Sequence, residues 1–212
     1  QTAYKAMDGE IGKFLLGILE SKGIKGISWW ENGFRHITNN KRPIVVPKDM
    51  EGLKIRVTPD KMRLDTFKAL GASPIPINFG ELYTALQQGV VDAQENPLGI
   101  IYANAFYEVQ KYLSLSGHTW GSALLCFNSS AWKRIPDRDK PVVEAIANKW
   151  RDRERQQIIN EESDMLAKLK EKGMKVNEVD KEAFRAAVQP VWKDYESVFG
   201  KDLMELVRKY GK

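Results

Sequence analysis

The sequence predicts an α/β fold, because strand and helix patterns alternate in its first half. Leu53, Ile55 and Val57 occupy every second position, which is the period of a β-strand. Glu81–Gln88 has a helical pattern that ends at a glycine, and the short apolar run Val90–Ala93 behind it predicts a further strand. A chain of 212 residues can hold this fold as one large domain or as two small lobes.

Polar residues mark the carboxyl ends of two of these predicted strands. Arg56 lies near the end of the first, and the corner Glu95-Asn96-Pro97 follows the second. In an open α/β sheet, ligands bind outside the carboxyl ends of the strands. These residues are therefore candidates for one site.

Composition excludes several classes of protein. The net charge of +5 is spread along the chain without a lysine or arginine block, so we expect no nucleic-acid partner. No apolar run approaches the roughly 20 residues of a membrane span, and the single cysteine, Cys126, cannot form an intrachain disulfide. The chain opens on Gln1 rather than methionine, and we expect it to be processed or partial.

The first quarter of the chain predicts a helix followed by two strands. Glu10–Glu20 carries an apolar stripe at helical spacing and is followed by a glycine. Ile24–Trp30 and Phe34–Thr38 have strand composition, and Asn32-Gly33 between them predicts a turn or crossing point.

Prolines and glycines set the next boundaries. Lys61–Leu70 predicts a helix, and Ala72–Ile77 is extended because its two prolines forbid a helix. Asn78 and Glu81 have the spacing of a capping box at the start of the following helix. Leu98–Leu113 predicts another helix.

The last half predicts a strand over Trp120–Asn128 and then helices. Pro141–Lys172 has no internal helix breaker and would form a helix of about 48 Å, longer than a small lobe is wide. A coiled-coil arm and a strut across two lobes both fit this length, and the absence of a strict heptad favours the strut. Lys181–Val198 and Asp202–Tyr210 predict amphipathic helices.

Five segments together resemble the solute-binding proteins of tripartite ATP-independent periplasmic (TRAP) transporters. In chain order they are Gly52–Val57 (GLKIRV), Leu70–Pro74 (LGASP), Glu81–Gln87 (ELYTALQ), Val91–Pro97 (VDAQENP) and Phe106–Tyr112 (FYEVQKY). The resemblance implies a two-lobe fold of the periplasmic-binding-protein type, with the long helix spanning both lobes. It also implies that roughly a third of a full chain would precede Gln1, so that the first lobe is incomplete here.

The resemblance implies the following organisation. Residues 1–33 and 122–160 would belong to the first lobe, residues 34–121 and 161–212 to the second, and the helix at about 141–172 to both. Such a protein would be periplasmic and monomeric. It would capture an organic acid between the lobes and deliver it to the small and large membrane subunits of a sodium-coupled importer.

Four residues match ligand-binding positions of the family. Arg56 corresponds to the arginine that grips the ligand carboxylate, and a planar guanidinium suits that task because it donates two parallel hydrogen bonds. Arg35 corresponds to a second arginine near the ligand, and Asn96 to an asparagine that donates to it. Phe79 corresponds to an aromatic residue that packs on the ligand, although a core position fits it almost as well.

Four further residues are weaker candidates for ligand binding. Trp30, His118 and Trp120 lie near predicted strand ends, where a core role is the simpler explanation. Glu95 could brace an arginine or join the two lobes.

Two other functions stay open from the sequence. An enzyme on a similar scaffold could use Asp92 or Glu95 as an acid or base, but no nucleophile or metal cluster accompanies them. A ligand-sensing subunit for a signalling receptor is the second. With His36 and His118 as the only histidines, we expect no metal site, no catalytic residue and no cofactor.

Overall fold

A computed structural model describes residues 2–210 of the protein. The helices are α1 (Thr2–Asp8), α2 (Glu10–Glu20), α3 (Lys61–Ala69), α4 (Leu82–Gln87), α5 (Leu98–Ala103), α6 (Ser129–Lys133), α7 (Lys140–Glu171), α8 (Lys181–Phe199) and α9 (Lys201–Tyr210). The strands are β1 (Ile24–Asn39), β2 (Lys54–Val57), β3 (Ser73–Pro76), β4 (Ala93–Pro97), β5 (Tyr112–Asn128) and β6 (Lys175–Glu178). No helix within residues 2–210 is long and apolar enough to cross a membrane.

The chain divides into two compact units. Within residues 2–210, the first contains residues 2–32, Gly121–Asn160 and residues 196–210. The second contains Gly33–Trp120 and Glu161–Tyr195. Four elements, β1, β5, α7 and α8, therefore contribute residues to both units.

In the second unit, the sheet brings the polar strand ends together. Its strand order is β3-β2-β4-β1-β5-β6. β2 is parallel to both β3 and β4, and Arg56 lies opposite Gln94. β1 is antiparallel to β4, with Arg35 opposite Pro97 and His36 opposite Asn96. β1 thus passes the carboxyl end of β4, and β4 lies between β1 and β2.

Two hydrophobic clusters hold this sheet in place. The first packs Ile37, Ile55 and other strand residues with Phe67 of α3 and Phe184 of α8. The second joins α4, α5 and the start of β5 to Leu169 near the end of α7. Burial of these side chains fixes α3 and α8 over the sheet, which positions their polar residues for the site described below.

In the first unit, an ion pair fixes α7 beside the amino-terminal helices. Arg155 of α7 donates to both carboxylate oxygens of Asp8, at 2.7 and 3.0 Å. Helix α9 packs against α1 and α2, and Lys209 Nζ lies 2.8 Å from Glu10 Oε2. This packing places Glu196 onward in the first unit, whereas the sequence assigned residues 161–212 to the second lobe.

The remaining unit boundaries lie within one residue of the predicted lobe boundaries. That these units act as the lobes of a closing binder stays a prediction.

Several predicted elements are confirmed. Helix α2 has the predicted bounds, and α3 ends one residue earlier than expected. The long helix α7 begins and ends one residue before its predicted bounds. Each of these segments carries its signal locally, in a helical run that a glycine follows.

The prediction of two separate strands at residues 24–38 is wrong. β1 is one continuous strand, because Gly33 adopts φ of +99° inside it without interrupting the pairing that follows. Glycine has no Cβ and tolerates this conformation. The expected crossing point is therefore a local feature of one long strand.

Three other local predictions are also wrong. Leu98–Leu113 is not one helix, because Ala105 adopts a left-handed conformation with φ of 53° after α5 ends, and the chain enters β5 at Tyr112. β5 therefore begins eight residues before the predicted start at Trp120. Asn78 makes no side-chain cap, because Phe79–Glu81 forms a 3-10 turn before α4.

We expect Gly33→Ala to destabilise the protein by about 1–2 kcal/mol, because alanine is strained at positive φ. Its Cβ would also lie 3.2 Å from the Cβ of Pro97. Gly17→Ala is the matched control: Gly17 lies inside α2 with no atom within 4 Å of the added methyl group, so it should stabilise by about 0.5–1 kcal/mol. Urea denaturation of both variants measures the difference, and equal effects would contradict the strain at Gly33.

Candidate functional site

Arg56 is a buried cation at the carboxyl end of β2. Its side chain is 1% exposed, and its Nε donates to the carbonyl of Ile77 at 2.8 Å. Its Nη1 finds no hydrogen-bond partner among residues 2–210. Burial lowers the pKa of Arg56; the charge of Glu95 opposes this, and those of Arg35 and Arg63 add to it. The guanidinium thus retains an unused donor in a site of positive potential.

The ring of Phe79 lies beside this guanidinium. The Arg56 Cζ atom is 5.9 Å from the ring centroid, which is within range of a cation–π interaction. Phe79 is 44% exposed, so one part of its ring is open to solvent. The open ring and the unused donor provide an apolar surface and an anion-binding group side by side.

Glu95 is the centre of the polar network, and its carboxylate is fully buried. Arg35 donates to it through Nε and, at 2.8 Å, through Nη2. Arg63 Nη1 lies 3.0 Å from one carboxylate oxygen, and His118 Nε2 lies 3.2 Å from the other. Burial acts to raise the pKa of Glu95, but the hydrogen bonds and charges of His118 and Arg35 outweigh it and bring the pKa to about 2.

Asn96 continues this network along β4. Its Oδ1 accepts a hydrogen bond from Arg35 Nη2 at 3.0 Å, and its Nδ2 donates to Gln94 Oε1 at 2.6 Å. Gln94 in turn donates to the hydroxyl of Thr38, which donates to Gln110 Oε1. The orientation of the Asn96 amide is therefore fixed by a chain of buried side chains.

The structure brings together most of the sequence-predicted candidates. Arg35, Glu95, Asn96 and His118 form one connected network, and Arg56 and Phe79 form a pair at the end of the adjacent strand β2. All six lie in the second unit. Their contact with a ligand stays a prediction.

The two tryptophans belong to different units. Trp30 belongs to the first unit, where its Nε1 donates to Ser28 Oγ at 2.9 Å. Trp120 is half-buried at the end of the second unit's portion of β5. Both remain candidates only by resemblance.

Arg63 is a site residue that the sequence analysis missed. Asp60 caps α3 by accepting the backbone N–H of Arg63 at 2.8 Å, which places Arg63 in the first turn of the helix that follows β2. A capping aspartate just after a strand that ends in a site residue is the signal that could have identified it. Its reach to Glu95 is not visible in the sequence, because it depends on the pairing of β2 with β4.

His36 is uncharged at neutral pH. Burial lowers its pKa to about 4, and electrostatic interactions with His118 and Lys181 act in the same direction. Its Nδ1 accepts the backbone N–H of Gly117 at 3.2 Å. Within residues 2–210, no group of three histidine, cysteine, aspartate or glutamate residues could hold a metal ion.

The two acidic residues considered for catalysis are both engaged. Glu95 at a pKa of about 2 is too weak a base for proton abstraction at neutral pH. Asp92 accepts the backbone N–H of Lys54 at 3.1 Å and lies 3.2 Å from Lys41 Nζ. Both carboxylates therefore hold cations and backbone in position.

A family model described as bacterial extracellular solute-binding protein, family 7, matches residues 1–198. A solute-binding protein of Verminephrobacter eiseniae is 38% identical over 207 residues, which are 97% of this chain and 62% of that protein. The 2,3-diketo-L-gulonate-binding periplasmic protein YiaO of Escherichia coli is 35% identical over 187 residues, 88% of this chain and 57% of that protein. This chain thus spans about three fifths of the length of these relatives.

Among solved structures, a TRAP periplasmic solute-binding protein from Polaromonas sp. JS666 bound to D-erythronate has a TM-score of 0.93 at 42% sequence identity. The match covers 99% of this chain and 68% of that one.

We expect Glu95→Gln to cost about 3–5 kcal/mol at neutral pH, because it leaves buried cations without their counter-charge. The folded pKa of about 2 lies below the ordinary value of 4.5, so the ionised carboxylate stabilises the fold above about pH 4.5. That contribution is lost as the pH falls from there towards about 2.

Urea denaturation of the wild type and the variant at a series of pH values measures this difference. Glu182→Gln, at an exposed position in α8, is the control. A difference that stays constant from about pH 7 to pH 3 would contradict the assignment.

Proposed function

The chain belongs to family 7 of the bacterial extracellular solute-binding proteins, and we propose that it binds the carboxylate of an organic acid at Arg56. The observation that carries this proposal is the buried Nη1 of Arg56, which has no partner among residues 2–210. A buried donor without an acceptor costs about 1–3 kcal/mol, and more when it is charged. A ligand carboxylate would remove that cost.

Arginine suits this position for two reasons. Its guanidinium stays charged when buried, whereas a buried lysine readily loses its proton. It also presents parallel N–H donors that match the two oxygens of a carboxylate. The carbonyl of Ile77 holds Arg56 Nε, whereas Nη1 keeps its donors unused among residues 2–210.

The second arginine has a different role in this proposal. Arg35 is bound to Glu95 and Asn96 and so has few donors to spare for a ligand. It fixes Asn96 and adds to the positive potential at Arg56. Arg35 therefore prepares the site, and Arg56 makes the principal contact with the acid.

The ligand class that fits best is a small polar acid. The names of two relatives specify 2,3-diketo-L-gulonate and D-erythronate, both of which are carboxylates with several oxygens. Next to Arg56, the partly exposed ring of Phe79 provides an apolar surface, and the amide of Gln94 lies opposite Arg56 on β4 as a polar neighbour. A sugar-derived or hydroxylated acid would use both.

The whole protein would act outside the cytoplasm as a monomeric binding subunit. It would deliver its ligand to TRAP membrane subunits that import it with sodium. We expect the ligand to be bound without being chemically changed. In support, the carboxylates of Glu95 and Asp92 already accept hydrogen bonds from the protein, so neither is a free acid or base. Recovery of the ligand unchanged after incubation, measured by mass spectrometry, tests this against the enzyme alternative.

We expect Arg56→Ala to weaken binding of the preferred acid by about 2–5 kcal/mol, the range for removing one partner of a buried charged pair. Arg56→Lys should recover only part, because the parallel geometry is lost. A thermal-shift screen of organic acids on the product of the complete gene identifies the ligand, and calorimetry then measures each variant. Wild-type affinity in the alanine variant would refute the role of Arg56.

We expect Phe79→Ala to weaken binding by about 0.5–2 kcal/mol, since the ring contacts the Arg56 cation and part of it is open to solvent. Phe14→Ala is the control, because Phe14 is similarly exposed but belongs to α2 of the first unit. Calorimetry on both variants separates ligand contact from a general effect of removing a surface ring. Equal affinities in the two variants would remove Phe79 from the site.

A further inference from the structure

The second unit contains a cavity apart from the Arg56 site. Its volume is about 490 Å³, and it lies between α3, the segment 116–119 of β5, and α8. Small-molecule sites typically measure about 300–1,000 Å³. Arg56, Phe79 and Asn96 are not among the lining residues, so the cavity is a separate place in the unit.

The walls of this cavity are largely apolar. Phe67, Phe184 and Val188 line it and are buried, and Trp192, which is 42% exposed, lines it as well. A sugar acid would have to give up the hydration of its hydroxyl groups against such walls without gaining partners. An aromatic ring would instead bury apolar surface and stack against other rings.

The polar part of the cavity is mostly cationic. Arg63, Lys181 and Arg185 line it, against the single carboxylate of Asp60. That carboxylate already accepts the backbone N–H of Arg63 as the cap of α3. Arg185 makes only an exposed contact of 3.6 Å with Glu182.

Arg63, His118 and His36 do not reduce the net positive charge at this cavity. Arg63 uses Nη1 for Glu95, and a guanidinium has further N–H donors. His118 also lines the cavity, and its Nε2 faces Glu95. His36 is neutral, because burial lowers its pKa to about 4 and the interactions with His118 and Lys181 act in the same direction. The cavity therefore has an apolar wall, and its cationic side chains outnumber its unpaired carboxylates.

We propose that this cavity binds an aromatic monocarboxylate, independently of the acid held at Arg56. The ring packs against Phe184 and Trp192, and the carboxylate faces Lys181 and Arg185. The site extends beyond the function proposed above, since these four residues take no part in the Arg56 site and the acid is of a different class.

A titration of the 212-residue chain with 4-fluorobenzoate, followed by fluorine NMR, tests the proposal. The probe should bind saturably. The double substitution Lys181→Gln and Arg185→Gln should weaken binding by about tenfold or more, because it removes charge-assisted contacts. Val188→Trp should abolish binding by filling the cavity.

Two controls separate this site from the rest of the surface. Lys193→Gln changes an exposed lysine of α8 that does not line the cavity, and Arg56→Ala disables the other site. Both should leave the affinity for 4-fluorobenzoate within about twofold of the wild type.

The possible outcomes each decide the question. Absence of saturable binding overturns the proposal, as does wild-type affinity in the doubly substituted variant. Loss of the probe in Arg56→Ala shows that it binds at Arg56 and also overturns it. If Val188→Trp fails to fold, the surface charge variants remain decisive. Apart from that last case, none of these results bears on whether Arg56 binds an organic acid, which the calorimetry above tests separately.

Discussion

The buried carboxylate of Glu95 is the constraint on which the site depends. A carboxylate with 0% exposure is tolerated only when it is paired and hydrogen-bonded, and Glu95 meets this condition with Arg35, Arg63 and His118. These partners come from β1, α3 and β5, whereas Glu95 itself lies on β4. One ionised group therefore holds three neighbouring elements in register with the strand that carries it. Removing its charge would leave the surrounding arginines without a counter-charge. The side chains of the network therefore depend on one another for their stability.

This arrangement explains why Arg56 remains available. Glu95 is the nearest buried acid, and its oxygens are occupied by Arg35, Arg63 and His118. Arg56 feels the charge of Glu95, yet no ion pair joins Arg56 to any carboxylate among residues 2–210. A permanent cation is thus kept buried with one donor unused. This arrangement supports the proposal that an anion from outside binds at Arg56, because the buried carboxylate of Glu95 is already paired.

The sequence predicts the parts of this structure whose signals are local. Helix α7 follows from the absence of breakers, and β2, with Arg56 near its end, follows from periodicity. Glu95 and Asn96 lie inside β4, which begins three residues later than the strand predicted over Val90–Ala93. The wrong predictions of strand and helix bounds occur where the backbone conformation of a single residue decides whether an element continues or ends. At Gly33 the strand continues although φ is positive. Ala105 adopts a left-handed conformation after the end of a helix, and an alanine in the sequence gives no signal of it. Arg63 could not be predicted as a partner of Glu95, because their contact depends on the pairing of β2 and β4.

The two proposed sites differ in how deeply their cations are buried. The buried cations Arg35 and Arg56 are both arginines, which keep their charge without solvent, whereas Lys181 and Arg185 at the cavity lie on exposed positions of α8. A buried guanidinium in a fixed network costs little reorganisation when an acid arrives, so it can select the geometry of a carboxylate. An exposed ammonium on a flexible stem attracts any anion and must lose conformational freedom to bind it. Discrimination by shape is therefore expected at Arg56, whereas at the cavity the apolar wall has to supply it.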